Sequence, residues 1–243
     1  MPDLKIKIVD FDIPRISTQQ MIEVDRLMID HFGITLFQMM ENAGLNLARL
    51  ALALYNGSDS YLILAGSGGN GGGTLVAARR LIGWGKKVQI RLTKTFDQYH
   101  GVPAHQLYIL QQLKADVKPF DPNENLSADM ILDGIIGYSV NGAPRGVAAK
   151  MIEMANQSTA KIISLDTPSG IELTEGIAYK PSINSDATLT LALPKKGLFR
   201  PEIKKQVNQL YLADIGVPLQ LYQKMGLQLE KNPFEHSGIV RLF

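Results

Sequence analysis

Residues 61–81 read YLILAGSGGNGGGTLVAARRL. An apolar run gives way to GSGGNGGG at 66–73, eight residues with six glycines, and then to a helical pattern. A buried strand that feeds through a glycine loop into a helix leaves several backbone N–H groups free at the strand's carboxyl end. With the helix dipole behind them, those groups form an anion site suited to a phosphate-bearing ligand. The run lacks the closing Lys-Ser or Lys-Thr of a P-loop. It also lacks the acidic residue that ends the next strand in the dinucleotide fingerprint.

Outward from this unit the same alternation recurs. Strand patterns fall at Tyr61–Ala65, Val88–Leu92, Met130–Asp133, Lys161–Leu165, Ala187–Leu193 and Asn208–Leu212, with helical patterns at Leu75–Gly83, Ala104–Leu113 and Gly146–Ala155. Strands that are apolar throughout and separated by helices predict a parallel sheet covered on both faces. Thr18 to Ala53 is helical with a break near His31-Phe32-Gly33, and Ser17 or Thr18 can cap its start. Its second half, rich in Met, Leu and Ala, is expected to be buried on the sheet or on a second subunit. The tail after Pro218 reads as a short helix followed by irregular chain.

The chain has 243 residues, 45% hydrophobic, a formal net charge of +2 and no cysteine. This length suits one α/β domain, 1–243, and no block of like charge points to nucleic acid or an anionic membrane. Without cysteine there are no disulfides, thiolate metal sites or cysteine nucleophiles, which fits a cytoplasmic setting. The N-terminus lacks a signal-peptide apolar core, and no run is long enough to span a bilayer. His31, His100, His105 and His236 lack metal spacing. Trp84 is expected to mark a helix end, Met39-Met40 to be core or interface, and Lys195-Lys196 to form a solvated turn.

In a doubly wound sheet, ligands bind beyond the carboxyl ends of the strands. After Ala65 comes the glycine run, after Leu132 comes Asp133-Gly-Ile-Ile-Gly137, and after Leu165 comes Asp166-Thr-Pro-Ser-Gly170. Glycine backbone, two carboxylates and small polar side chains at three strand ends suit a phosphorylated, hydroxyl-rich ligand. Taken singly, each glycine run is a tight turn and each aspartate a cap.

Five ordered motifs, across about residues 18–220, resemble the YjeF N-terminal domain family, the NAD(P)HX epimerases. The family's G-x-G-N-N-G-G-D-G loop and L-V-A-A-R-x-L helix resemble Gly66 to Leu81. D-x-x-x-G matches Asp133 to Gly137, and D-x-P-S-G matches Asp166 to Gly170. L-M-E-x-A-G resembles Met39 to Gly44, P-K-x-G-L is Pro194 to Leu198, and the ADIGVP at 213–218 is similar to the family's ending. The loop departs from the family at two positions, Gly69 for an asparagine and Gly73 for an aspartate. An aspartate at 73 would cap the helix and could hydrogen-bond substrate; Thr74 can take over the capping but not the charge.

The resemblance implies a three-layer α/β/α, Rossmann-like fold, a homodimer, and cofactor repair by epimerisation at C6 of the hydrated nicotinamide ring. A dehydratase acts in the same pathway, as a separate protein here because the chain is too short to carry that domain. By the same analogy Asn70, Asp133 and Ser169 coordinate a potassium ion. Gly69, Asn70, Gly71, Gly72 and Gly73, the segment Gly137, Tyr138, Ser139, Val140, Asn141, Gly142 and Ala143, and Asp166 hold the substrate. Epimerising a carbinolamine requires water to leave C6 and return on the other face, so an acid/base is needed there. Asp166 is assigned that role, with Lys94 as assistant or phosphate holder, or a solvated lysine. Two other readings stay open: a non-catalytic relative serving dimerisation or scaffolding, and an enzyme for another nucleotide-like ligand.

Overall fold

The computed structural model describes residues 6–243, so the first five residues of the N-terminal segment lie outside it. Two helices open the fold, α1 (Thr18–Asp30) and α2 (Leu36–Leu54), each started by a capping box, from Ser17 with Gln20 and from Thr35 with Gln38. The expected break at 31–33 is the turn between them.

Eight strands form the main sheet: β1 (Ser60–Ala65), β2 (Lys87–Leu92), β3 (Asp116–Pro119), β4 (Met130–Gly134), β5 (Lys161–Leu165), β8 (Ala187–Leu191), β9 (Gln209–Ala213) and β10 (Ile239–Arg241). A two-stranded hairpin, β6 (Ile171–Glu172) and β7 (Ile177–Ala178), stands apart from it. The order is β10-β9-β8-β5-β4-β1-β2-β3, parallel throughout except for β10 on β9. Between them run α3 (Gly69–Gly83), α4 (Gly101–Gln112), α5 (Gly146–Gln157), the single-turn α6 (Lys204–Val207) and α7 (Leu219–Lys224).

The strands' period of two divides the core. Tyr61, Ile63 and Ala65 of β1, with Leu132 and Ile163, meet α1, α2, α3 and α4 on one face. Leu62, Leu64 and Ile131 meet Met151, Ile152 and Ala155 of α5 on the other. A third cluster under the hairpin joins Ile171 and Leu173 to Leu198, Ile203 and Leu210. The expected three-layer α/β/α arrangement is what forms. Among the described residues no helix is long and apolar enough to cross a membrane.

Four strands escape the sequence pattern, the two of the small hairpin and two at the sheet's edges. β3 is a short, mostly exposed edge strand with Asp, Lys and Pro, and β10 spans three residues; edge strands need no apolar run. The larger difference is at the glycines. Residues 69–73 are not a loop but the opening of α3, capped by Gly68 with no side-chain bond. Thr74 does not cap it: its hydroxyl donates back to the Asn70 carbonyl at 2.6 Å.

Glycine's low helix propensity predicts a loop, yet close approach demands glycine here. A Cβ on Gly71 would lie 1.7 Å from the Gly66 carbonyl oxygen, and one on Gly44 of α2 would lie 2.3 Å from the Gly73 carbonyl oxygen. Both obstacles are backbone and cannot rotate away. A Cβ on Gly69, in contrast, meets nothing within 4 Å. Gly71→Ala is therefore expected to cost roughly 3 kcal/mol or more, read as a lowered urea midpoint. Gly69→Ala leaves the midpoint unchanged or raises it by a few tenths of a kcal/mol.

Candidate active site

The strand order reverses direction between β1 and β4, since β2 follows on one side of β1 and β5 on the other side of β4. Crevices form at such switch points, and the three motifs converge there. The Gly66 N–H donates to the Gly134 carbonyl at 2.9 Å, clamping the exit of β1 to the exit of β4. The first helical bond of α3 runs from the Gly72 N–H to the Gly68 carbonyl. The N–H groups of Gly69, Asn70 and Gly71 therefore lie upstream of the ladder, and those of Gly69 and Asn70 sit where the run is still open to an anion.

Within the run, Gly68 and Gly69 are exposed and Asn70 half-buried, whereas Gly71, Gly72 and Gly73 are buried. A Cβ at Gly73 would point at Leu165 Cδ2, Met40 Sδ and Ala43 Cβ. That position is an inner face of the α2–α3 contact. An aspartate there would neither cap α3, whose cap is five residues earlier, nor leave the apolar packing between the helices. The departure from the family pattern at 73 takes nothing from the open part of the run.

Asp133, the penultimate residue of β4, is fully buried. Its Oδ1 accepts from Ser169 Oγ at 2.5 Å and from the Ile135 N–H at 3.2 Å, while Oδ2 accepts from Ser164 Oγ at 2.8 Å and the Ser169 N–H at 2.9 Å. Burial pushes this carboxyl up from the usual carboxylate range, and the four hydrogen bonds pull the other way. Ser169 Oγ in turn accepts from the Ile136 N–H at 2.9 Å. Asn70 Nδ2 donates to the Leu165 carbonyl at 2.7 Å, and the Asn70 amide lies against Gly137, 2.6 Å from where a Cβ would stand.

Amide, carboxylate and hydroxyl oxygens thus gather around 134–137, a donor set for a hard cation. A buried carboxylate with no ammonium or guanidinium on it, among the described salt bridges, is costly unless its charge is offset. Both observations fit a monovalent cation held by Asn70, Asp133 and Ser169.

Asp166 follows β5 in the left-handed region, φ +64°, a conformation that aspartate tolerates better than most residues. The turn directs its carboxylate toward the loop after β8. Asp166 Oδ1 accepts from Lys195 Nζ at 2.5 Å, and Nζ also donates to Thr190 Oγ1 at 3.2 Å and the Leu191 carbonyl at 2.9 Å. All three ammonium protons are engaged. Lys195 is fully buried and Asp166 only 1% exposed. Asp166 Oδ2 is buried and has no hydrogen-bond partner among the described residues.

The expected solvated turn at Lys195-Lys196 is therefore half wrong: Lys196 is exposed, but Lys195 is the cation of the site. Lys94, expected to assist, is exposed beyond β2 and makes no recorded bond to Asp166. Of the segment 137–143, Gly137, Tyr138, Val140 and Gly142 are half-buried, while Ser139, Asn141 and Ala143 are exposed. Tyr138 donates its hydroxyl proton to Asp25 Oδ2 at 2.7 Å.

Two contributors were missed from sequence. Lys195 lies within the apolar run LALPKKGLF, where a lysine must find a partner or leave. Asp25 sits among Met21, Val24 and Met28, the buried stripe of α1. A carboxylate on an apolar stripe is the available signal. Trp84 closes α3, Met39 and Met40 are buried, and no histidine joins a metal-type cluster among the described residues.

The family model described as YjeF-related protein N-terminus matches residues 36–197. An NAD(P)H-hydrate epimerase of Dehalogenimonas lykanthroporepellens is 41% identical over 95% of this chain and 93% of its own length. A bifunctional NAD(P)H-hydrate repair enzyme, Nnr, of Moorella thermoacetica is 31% identical over 85% of this chain, which spans 41% of that protein. The crystal structure of the yeast protein YNL200c superposes with a TM-score of 0.79, covering 94% of this chain and all of the other at 24% identity. At that identity the superposition speaks for the fold, and the family match and the 41% relative speak for descent. The chain belongs to the YjeF-related N-terminal family.

Proposed function

We propose that this protein is an NAD(P)H-hydrate epimerase, an isomerase that interconverts the R and S forms at C6 of the hydrated nicotinamide ring. Likeness to the epimerase of Dehalogenimonas lykanthroporepellens over nearly the full length of both chains supports the activity. The observation that carries the mechanism is Asp166 Oδ2, a buried carboxylate oxygen after β5 with no hydrogen-bond partner among the described residues. The C6 hydroxyl leaves as water with a proton delivered to it, helped by the ring nitrogen lone pair. Water that adds to the opposite face must lose one proton, which returns to the carboxylate left by the first half-reaction through a relaying water or after the ring has turned over in the site. Lys195 holds Oδ1 and fixes the carboxyl plane, leaving Oδ2 to exchange the proton.

The open first turn of α3 and the segment 137–143 form the substrate walls in this reading. The N–H groups of Gly69 and Asn70 are suited to the diphosphate, and Lys94 remains an exposed candidate for a phosphate. A potassium ion on Asn70, Asp133 and Ser169 would offset the buried Asp133 charge and order the turns at 70 and 134–137. We further propose a homodimer in the cytoplasm. The bifunctional name of the Moorella relative agrees with a dehydratase acting on the S form in the same repair route.

The test supplies R-NADHX to the purified protein and follows its consumption with an S-specific dehydratase. Conversion is expected, with Asp166→Asn lowering kcat about 10²–10⁴-fold. That variant strands a buried ammonium, at a cost of about 3–5 kcal/mol. The double variant Asp166→Asn, Lys195→Met removes both charges and serves as the folded control. An inactive but folded wild type rejects the function, and a rate unchanged by Asp166→Asn rejects the role of Oδ2.

Potassium has its own readout. The melting temperature should rise on replacing choline chloride by potassium chloride at equal ionic strength, because a ligand of the folded state stabilises it by mass action. Asp133→Asn should remove that rise. An equal rise in the variant would place the ion elsewhere.

A further inference from the structure

Tyr138 and Asp25 are 113 residues apart in sequence, and their side chains meet in a 2.7 Å hydrogen bond. Asp25 lies on α1, which contributes no strand end and no residue of the recognised motifs. Tyr138 is the second residue of the segment 137–143 that leads away from β4. Its ring packs against both the main core and the cluster under the hairpin, bridging two layers of side chains.

The rest of the segment has little to hold it. Its recorded backbone bond is a long one, from the Val140 N–H to the Gly137 carbonyl at 3.3 Å, and Gly142 follows in a left-handed turn at φ +86°. The Tyr138 hydroxyl is also the one donor recorded on the Asp25 carboxylate among the described residues. Each group is thus the other's recorded hydrogen-bond partner, and the bond joins α1 to an otherwise loosely tied wall.

Asp25 also lies within electrostatic reach of Lys195 and Asp166. Burial pushes its carboxyl up, and the bond from Tyr138 opposes that shift. A phenol donating to a carboxylate is a charge-assisted hydrogen bond, stronger than a neutral one and specific in direction.

We infer that Asp25 and Tyr138 are positioning residues, a latch that fastens the segment 137–143 to α1 and thereby sets the affinity of the site for its substrate. The inference rests on the reading of 137–143 as a substrate wall. Neither residue exchanges a proton with the substrate. Their effect falls on binding that is equal in ground and transition states, so it belongs in KM and not in kcat.

The experiment compares wild type with Tyr138→Phe, Asp25→Ala and Asp25→Asn. It measures KM and kcat for epimerisation of R-NADHX, and hydrogen–deuterium exchange of the amides at 139–143 without substrate. Losing a hydrogen bond to a charged group is expected to raise KM about tenfold in Tyr138→Phe and Asp25→Ala, with kcat within about twofold of wild type. Exchange at 139–143 should rise in both while the sheet stays protected. Asp25→Asn keeps an oxygen that accepts from the phenol, so its KM should stay within about threefold of wild type.

An unchanged KM and unchanged exchange in Tyr138→Phe would overturn the latch. So would a fall in kcat at constant KM, which would place Tyr138 in the chemistry. Exchange is read without turnover, so the two readings can fail separately. Should wild type not epimerise, the function fails, while faster exchange in the two breaking variants still supports the latch.

Discussion

Backbone has to touch backbone where α3 leaves β1, and the rest of the architecture accommodates that contact. The Gly71 α-carbon sits over the Gly66 carbonyl, and the Gly134 α-carbon sits against Thr74 Oγ1. On its outer side, α3 takes the equally close approach of Gly44 from α2. A helix drawn this tightly onto the strand ends has its N-terminal amides at the switch point instead of above it. The glycines are thus requirements of packing first, and the anion site follows from where the packing puts the helix. Glu41 reinforces the same contact by accepting from both Arg79 and Arg80.

That geometry also decides which residues of the glycine run can face a ligand. Exposure ends at Asn70, and positions 72 and 73 look toward α4 and toward Leu165 and α2. Judged by sequence alone, the lost aspartate at 73 weakens the assignment most. In three dimensions it concerns the helix contact, and the polar atoms at the strand ends are intact. The alternative of a decayed, purely structural relative finds no support in Asn70, Asp133 and Ser169, whose hydrogen bonds tie the ends of β1, β4 and β5, or in Asp166, which is paired with Lys195.

Much of the fold was legible because a buried parallel sheet writes itself as apolar runs at regular intervals. The six central and inner strands were readable for that reason, as was the paired start at α1 and α2, where Ser17 and Thr35 cap. What stayed hidden was of two kinds. β3 and β10 take their stability from a neighbour's ladder, so nothing in their own composition marks them. Lys195 and Asp25 are charged residues on apolar segments, and local sequence says only that such a residue needs a partner. Which partner it finds depends on long-range folding: Asp166 across 29 residues and Tyr138 across 113. The carboxylates at strand ends were legible because topology alone brings them together.

The two buried aspartates are held in different ways by one scaffold. Asp133 spends both oxygens on hydroxyl and amide protons and meets no cationic side chain among the described residues, so its charge is spread over donors but not cancelled. Asp166 has its charge met by an ammonium on one oxygen, while the other has no hydrogen-bond partner among the described residues. A carboxylate whose two oxygens both accept inward-directed bonds is placed to order turns, not to meet a reacting hydroxyl. A carboxylate pinned at one oxygen has a fixed plane and a free acceptor, which is the geometry proton exchange requires. The division follows from a single difference in what comes next: Asp133 is followed by Gly-Ile-Ile, whose backbone and Ser169 fold over the carboxylate. β5 is followed by a left-handed turn at Asp166 itself, which swings the carboxylate out from beneath its own loop toward Lys195.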